Sequence, residues 1–308
     1  MHVSVVSPVY GCRECLEQLV DGVETALRSR AASFEVVLVD DGSPDGAWAA
    51  IQALTEDRSW LTGVRLSRNF GQHPAIDAGL RQASGDWIVV MDCDLQDPPS
   101  AIPQLLDKAI NDGYDVVFAQ RQNRQDKASK RLSSWAFYRL LSWLTGVPQD
   151  ASSANFGVFN RSVIDVVTQM PERDKAFPLM VRWAGFRIGY QPVEHAARAH
   201  GSTSYSLGRL IRLGTQIVLG YSDKPLRMVA VGGMACSLVS FLMAALSVLL
   251  FFNGHITVAG YTSLMASVWL LGGLVLFSVG VVGLYVGQVF ANVQGRPPAV
   301  IAEVVGGG

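Results

Sequence analysis

The sequence predicts an α/β domain on a mainly parallel sheet, followed by two helices long enough to span a bilayer. Three observations carry this expectation. Short apolar runs alternate with helical stretches through the first 120 residues, the pattern of repeated βαβ units. One run, Ile88 to Met91, is apolar without a break, as in a strand buried on both faces of a parallel sheet. Towards the C-terminus, 228–252 and 263–290 contain no charged residue. At about 25 and 28 residues, each exceeds the roughly 20 that cross a hydrocarbon core.

In chain order, strands are expected at 3–7, 34–40, 61–66, 87–91 and 115–119, with helices at 14–30, 45–55, 74–83 and 102–112. Turn chemistry falls between them. Gly42-Ser43-Pro44-Asp45 follows the second strand, and Ser84-Gly85-Asp86 precedes the fourth. A further helix is expected over 129–145, where Trp135, Phe137, Tyr138 and Trp143 are interspersed with Lys130, Arg131 and Arg139. Another, amphipathic, covers 205–221, with Arg209, Arg212 and Gln216 along one stripe. Basic, aromatic-bearing helices beside membrane spans suit the lipid interface. Within the spans, Gly232, Gly233, Gly272, Gly273, Gly280 and Gly283 allow close helix packing.

The 308 residues accommodate one α/β domain plus a smaller part, and a formal net charge of −1 speaks against a nucleic-acid partner. Lys224 and Arg227 precede the first span and Arg296 follows the second, while 253–262 between them has no Lys or Arg. The positive-inside rule then puts both termini in the cytoplasm and the short loop outside. Strand-like residues begin at Val3, so no signal peptide is expected. Of the four cysteines, Cys12-x-x-Cys15 lacks a second pair that would complete a tetrahedral metal site. Both are expected as ordinary thiols, with Cys93 pointing away from the acids beside it and Cys236 in the first span.

Chemistry concentrates where strands end in acids. The fourth strand runs directly into Asp92, Asp94 and Asp97. Ligands of parallel sheets bind at the carboxyl ends of the strands. Asp92 and Asp94 are two apart, so on extended backbone their carboxylates face the same way. Paired hard oxygen donors beside a crevice suit Mg²⁺ or Mn²⁺ holding a diphosphate. The second strand likewise ends in Asp40 and Asp41. Two acidic strand ends in one sheet allow one to bind the base or ribose of a nucleotide and the other its metal-bridged diphosphate. His73, close to these motifs, is expected to be a hydrogen-bonded structural histidine.

Ser4-Val5-Val6-Ser7-Pro8-Val9-Tyr10, Val39-Asp40-Asp41-Gly42-Ser43, Ser67-Arg68-Asn69-Phe70-Gly71 and Met91-Asp92-Cys93-Asp94-Leu95-Gln96-Asp97-Pro98-Pro99 occur in that order. With these motifs the chain resembles family 2 glycosyltransferases of the GT-A fold. More narrowly it is similar to their polyprenyl-phosphate branch, which includes dolichol-phosphate mannose synthase and bacterial undecaprenyl-phosphate glucosyltransferases. The resemblance implies a Rossmann-like GT-A domain over 1–200, an amphipathic juxtamembrane helix over 201–227, two transmembrane helices over 228–290 and a cytoplasmic tail over 291–308. It implies a multi-pass protein of the inner (cytoplasmic) membrane, a nucleotide-sugar donor, a polyprenyl-phosphate acceptor and a homo-oligomer, tetrameric in relatives. By the same resemblance Pro8, Tyr10 and Asp41 line the base, with Asp40 behind them. Asp92 and Asp94 form the metal-binding pair, and Gln96 and Asp97 lie near the donor sugar. Ser202, Ser204 and Tyr205 lie near the phosphates and the lipid. Arg121, Arg198 and Arg209 lead the candidate phosphate-binding cations.

Three departures from the family pattern bear on mechanism. Tyr10 is followed by Gly11 and Cys12 instead of Asn-Glu; Thr203-Ser204-Tyr205 replaces Ser-Lys-Tyr; and Ser152-Ser153-Ala154-Asn155-Phe156-Gly157 replaces Asp-x-Gly-Asp-Phe-Arg. Loss of the acid at Asn155 removes a base that a hydroxyl acceptor would need. A phosphate monoester is already ionised near neutral pH, so its oxygen attacks without one. The rival reading is a non-catalytic GT-A-like membrane scaffold. A processive polysaccharide synthase would add Gln-x-x-Arg-Trp, which this chain lacks.

Overall fold

The computed structural model describes residues 1–121, 153–170, 176–193, 224–252 and 260–307. The chain divides into two units: a sheet domain that includes 295–308, and a second unit that contains both long C-terminal helices.

Eight strands form one mixed sheet: β1 (His2–Val9), β2 (Ser33–Asp40), β3 (Leu61–Leu66), β4 (Trp87–Val90), β5 (Val116–Arg121), β6 (Ser153–Asn160), β7 (Ile188–Val193) and β8 (Ile301–Gly306). Their order across the sheet is β7-β5-β6-β4-β1-β2-β3-β8. β1 runs parallel to both β2 and β4, and β2 to β3. β6 is inserted antiparallel between β4 and β5. From β1 the chain builds outwards to β2 and β3 on one side, then crosses to β4 on the other. The loops leaving β1 and β4 therefore diverge, and a crevice opens at this switch point.

Burial follows the apolar pattern. β1 and β4 lie inside the sheet, and Val3, Val5, Val6, Ile88, Val89 and Val90 are all buried. α1 (Leu16–Leu27) buries Leu16, Leu19, Val20, Val23 and Leu27, spaced to give one helical face. It is preceded by a single 3-10 turn, Arg13–Cys15, which shortens the helix expected from residue 14. α2 (Ala47–Glu56), α3 (Gln72–Gln82) and α4 (Ile102–Asp112) cover the remaining faces. α3 starts two residues earlier than expected because Pro74 fits its first turn, where no intrahelical donor is required. α5 (Arg161–Gln169) is capped by the Asn160 side chain, which accepts the Ser162 N–H, and α6 (Phe177–Trp183) follows.

The C-terminal segment departs from expectation. Part of 291–308, read from sequence as a tail, folds as β8 and pairs antiparallel with β3. Val304 and Val305 supply the β-branched residues that favour a strand, and without them the β3 edge would be open. In the second unit, α7 (Lys224–Phe252) and α8 (Tyr261–Val293) are continuous helices of 29 and 33 residues. Among the described residues, Leu270–Val293 is the stretch long and apolar enough to cross a membrane, and none of it is buried within the chain. The helices expected over 129–145 and 205–221 lie outside the described residues.

α3 presses closely on the sheet. A Cβ at Gly79 would lie 2.5 Å from Val6 Cγ1 and 2.8 Å from Val39 Cγ2. In an open helix Gly→Ala gains about 1 kcal/mol. Here Gly79→Ala is expected to lower stability by about 1–3 kcal/mol through overpacking, read from denaturant unfolding. A stabilised variant would contradict this packing. At the start of the same helix, His73 Nδ1 is buried with no hydrogen-bond partner among the described residues, unlike the hydrogen-bonded histidine expected from sequence. Burial pushes its pKa down to about 4 from 6.5, so the ring is neutral when folded. Between those values the unfolded chain binds the extra proton, so stability falls as pH drops from 6.5 towards 4, by roughly 2 kcal/mol because the residue keeps some solvent access although Nδ1 is buried. His73→Gln should flatten that part of the stability–pH profile. An unchanged slope would assign the dependence to other groups.

Candidate active site

Four strands, β1 to β4, deliver their C-terminal turns to one end of the sheet, and two of them deliver acids. Asp40 and Asp41 close β2. The Asp40 side chain turns inward, where Oδ1 accepts the Ser43 N–H at 3.0 Å. Ser43 Oγ in turn accepts the Gly11 N–H at 3.1 Å, which ties the β2 turn to the loop after β1. Asp45 adds a second tie, accepting the Arg13 N–H at 2.9 Å and the Ala47 N–H at 3.2 Å. Asp41 accepts the Phe70 and Gly71 N–H groups at 2.7 and 2.8 Å. The Ser67–Gly71 motif is thus held by its backbone. Gly42 permits this approach: its φ is +67°, and a Cβ there would lie 2.8 Å from the Asn69 nitrogen. Burial pushes the pKa of both carboxyls up, with these hydrogen bonds opposing it, and Asp40 pushes Asp41 further.

β4 ends in the second acidic turn. Asp92 Oδ1 accepts from Gln72 Nε2 at 2.7 Å, so α3 holds one oxygen of that carboxylate. Asp94 Oδ1 accepts the Gln96 N–H at 3.2 Å, and between them Leu95 adopts φ +59°. A non-glycine residue in the left-handed region is uncommon, and here the Asp94 hydrogen bond spans it. Asp97 is 3% exposed.

The cysteines differ from the sequence expectation. Cys12 and Cys93 are joined in a disulfide across 81 positions, with Cα atoms 6.4 Å apart, while Cys15 stays a buried thiol. The sequence led both Cys12 and Cys15 to be expected as ordinary thiols, with Cys93 pointing away from its neighbouring acids. The tertiary contact made by neighbouring parallel strands β1 and β4 decides otherwise. Closing a loop of this length restrains the unfolded chain by about 4–5 kcal/mol.

These turns enclose a cavity of about 730 Å³. Of the residues expected from sequence, Pro8, Tyr10, Asp41, Asp92 and Asp94 line it. Tyr10, 55% exposed, offers its ring as a stacking surface. Asp40 lies buried under the turn. Gln96 and Asp97 are not part of the lining, and Arg121 ends β5. Arg198, Ser202, Ser204, Tyr205 and Arg209 fall outside the described residues. Sequence reasoning missed Arg13, Gln72 and the disulfide, all of which also line the cavity. Of these, only Cys93 stands within an acidic motif, and neither residue type nor spacing marked the others.

Among the described residues no group of three or more His, Cys, Asp or Glu gathers as a complete metal cage. The donor set still fits a hard cation. Mg²⁺, and Mn²⁺ with it, typically takes one or two carboxylates and fills its octahedron with water and substrate phosphate. Asp92 and Asp94 are the residues that would hold it.

In fold, the chain is similar to glucosyl-3-phosphoglycerate synthase from Mycobacterium tuberculosis in complex with phosphoglyceric acid, with a TM-score of 0.51 and 18% identity over 72% of this chain and 80% of that one. A second structure of that enzyme, with Mn²⁺, UDP and glucosyl-3-phosphoglycerate, matches at TM-score 0.49 and 16% identity, covering 71% and 77%. S. aureus TarS 1-349 in complex with UDP-GlcNAc matches at 0.46 and 17%, covering 72% and 68%. Residues 4–165, just over half of the chain, match the family described as Glycosyl transferase family 2. With its two acidic strand ends meeting at the switch point of a GT-A-like sheet, the chain belongs to glycosyl transferase family 2 and is a glycosyltransferase.

Proposed function

We propose that this enzyme carries out the metal-dependent, inverting transfer of a sugar from a UDP-sugar to a polyprenyl phosphate, undecaprenyl phosphate in a bacterial setting, at the cytoplasmic face of the membrane. The observation that carries the donor half is the cavity in which Asp41 and the Asp92/Asp94 pair face one space from two different strand ends. Tyr10 and Pro8 stack and enclose the base, and Asp41 recognises it from the β2 turn. A Mg²⁺ or Mn²⁺ ion on Asp92 and Asp94 would neutralise the diphosphate as it departs. Gln72 orients Asp92 for that task by holding its other oxygen.

Two features support the lipid acceptor. The first is the membrane-length stretch Leu270–Val293. Residues 147–205 and 295–308, on either side of the stretch that holds α7 and α8, belong to the sheet unit, and β8 pairs with β3 there. A helix pair between two segments of one domain would cross twice, a topology that the charge asymmetry at Lys224, Arg227 and Arg296 supports. The second is Asn155. β6 pairs antiparallel with β4, with Gly157 opposite Val90. Asn155 lies on β6 two residues before Gly157. There the chain offers an amide where the family pattern has the carboxylate that a hydroxyl acceptor would use. A phosphate oxygen needs no such base; it needs only to be brought in line with the sugar carbon.

The test is transfer of label from UDP-sugars to undecaprenyl phosphate with full-length protein and Mn²⁺. Label should enter the lipid phase, the free polyprenol should be inert, and Asp94→Asn should lower turnover by about 100-fold or more, the several kcal/mol of charge stabilisation a metal supplies. Efficient transfer to the free alcohol, or a strong rate gain in Asn155→Asp, would establish a hydroxyl acceptor instead. Near-normal turnover by Asp94→Asn at saturating metal would remove the metal assignment. Absence of both transfer and donor hydrolysis across a panel of nucleotide sugars would leave the scaffold reading.

A further inference from the structure

The Cys12–Cys93 disulfide joins the loop after β1 to the acidic turn after β4, and both residues line the cavity. Its flanks tie it to the site. Cys93 stands between Asp92 and Asp94, and Cys12 is two residues past Tyr10. The bond therefore limits how far the base-side loop and the acidic turn can separate. Cys93 is 7% exposed, whereas Cys12 keeps partial exposure, so a small thiol or disulfide reaches Cys12 first. Cys15 is buried, and burial raises its thiol pKa, which keeps it out of exchange near neutral pH.

Disulfides persist in oxidising compartments, and those in reducing ones are usually catalytic or redox-sensing. With the sheet domain on the cytoplasmic side, as proposed above, a reversible bond is called for here. We infer that Cys12 and Cys93 form a redox-operated latch on the nucleotide site. Closed, it holds the base-side loop and the acidic turn in the arrangement that receives a nucleoside diphosphate. Open, it lets them part and weakens donor binding. The closed form is the competent one, because the cavity is complete with the bond in place. The latch rests on the nucleotide-sugar reading of this cavity.

Closing consumes a low-molecular-weight disulfide of the glutathione class. The Cys12 thiolate attacks one sulfur of that disulfide, whose S–S bond breaks. A mixed disulfide forms at Cys12, and one small thiolate leaves. The Cys93 thiolate then attacks Cys12 Sγ, forming the protein bond and expelling the second small thiolate. Two protein thiols are oxidised and one small disulfide is reduced to two thiols; the protons released by the cysteines are taken up by the leaving thiolates. Excess small thiol drives the reverse.

The experiment equilibrates the full chain, in nanodiscs, at a high and a low ratio of reduced to oxidised glutathione. Differential alkylation with mass spectrometry reads the pairing of Cys12 and Cys93, and UDP binding with Mn²⁺ and steady-state rates read the site. The oxidised form should bind UDP about three- to tenfold more tightly, the range that ordering one or two loop side chains commands. Donor KM should follow, with kcat changing much less. Cys12→Ser and Cys93→Ser should show the reduced-state affinity at both ratios. Equal affinity in the two states, while alkylation reports the bond open in one and closed in the other, would overturn the latch alone. So would a redox response that persists in Cys93→Ser, or a pairing that does not change between the two ratios. UDP bound in neither state would remove the nucleotide reading and the latch with it.

Discussion

The site depends on the parallel pairing of β1 with both β2 and β4. Because β1 is shared, the C-terminal turns of three strands are set side by side at one end of the sheet, and the reversal of strand order at β1 leaves space between them. Register makes this specific: Val9 is opposite Asp40, and Val6 is opposite Val90. A one-residue slip in either pairing would exchange inward and outward side chains and withdraw an acid from the cavity. The buried valines of β1 and β4 oppose such a slip, so the same apolar run that makes the core also aims the carboxylates.

Around that frame, short polar ties fix the turns. Asp41 takes two backbone N–H groups from the turn after β3, Asp45 and Ser43 hold the loop after β1, and Gln72 holds Asp92. Acids that bind backbone in the resting protein are thereby preorganised, which lowers the ordering cost when a nucleotide arrives. α3 contributes on both of its faces. Gly79 lets it lie against β1 and β2, and Gln72 at its N-terminal end reaches the acidic turn.

Much of this was legible in the sequence, because periodicity and strand-end acids are local signals. The runs at Val3, Phe34, Leu61 and Trp87 became strands, and Pro8, Tyr10, Asp41, Asp92 and Asp94 came together in one cavity. What was not legible is non-local. The Cys12–Cys93 bond joins residues that only the β1–β4 pairing makes neighbours, so in the sequence each reads as an ordinary thiol. β8 was hidden because a short apolar stretch after a long helix reads as a tail until an open edge strand is there to receive it. Gln72 has an uncharged side chain outside the acidic motifs, so nothing in its type or spacing announced its bond to Asp92.

The central claim is a division of labour between the two acidic turns: the β2 turn recognises the nucleoside, and the β4 turn acts on the diphosphate through a divalent ion. Calorimetric titration of the full-length protein with uridine and with UDP, each with and without Mn²⁺, tests this most directly. The account predicts that Mn²⁺ strengthens UDP binding by about tenfold or more, as expected when a cation joins a diphosphate to two carboxylates, and leaves uridine binding unchanged. UDP affinity that is the same with and without Mn²⁺ would contradict it.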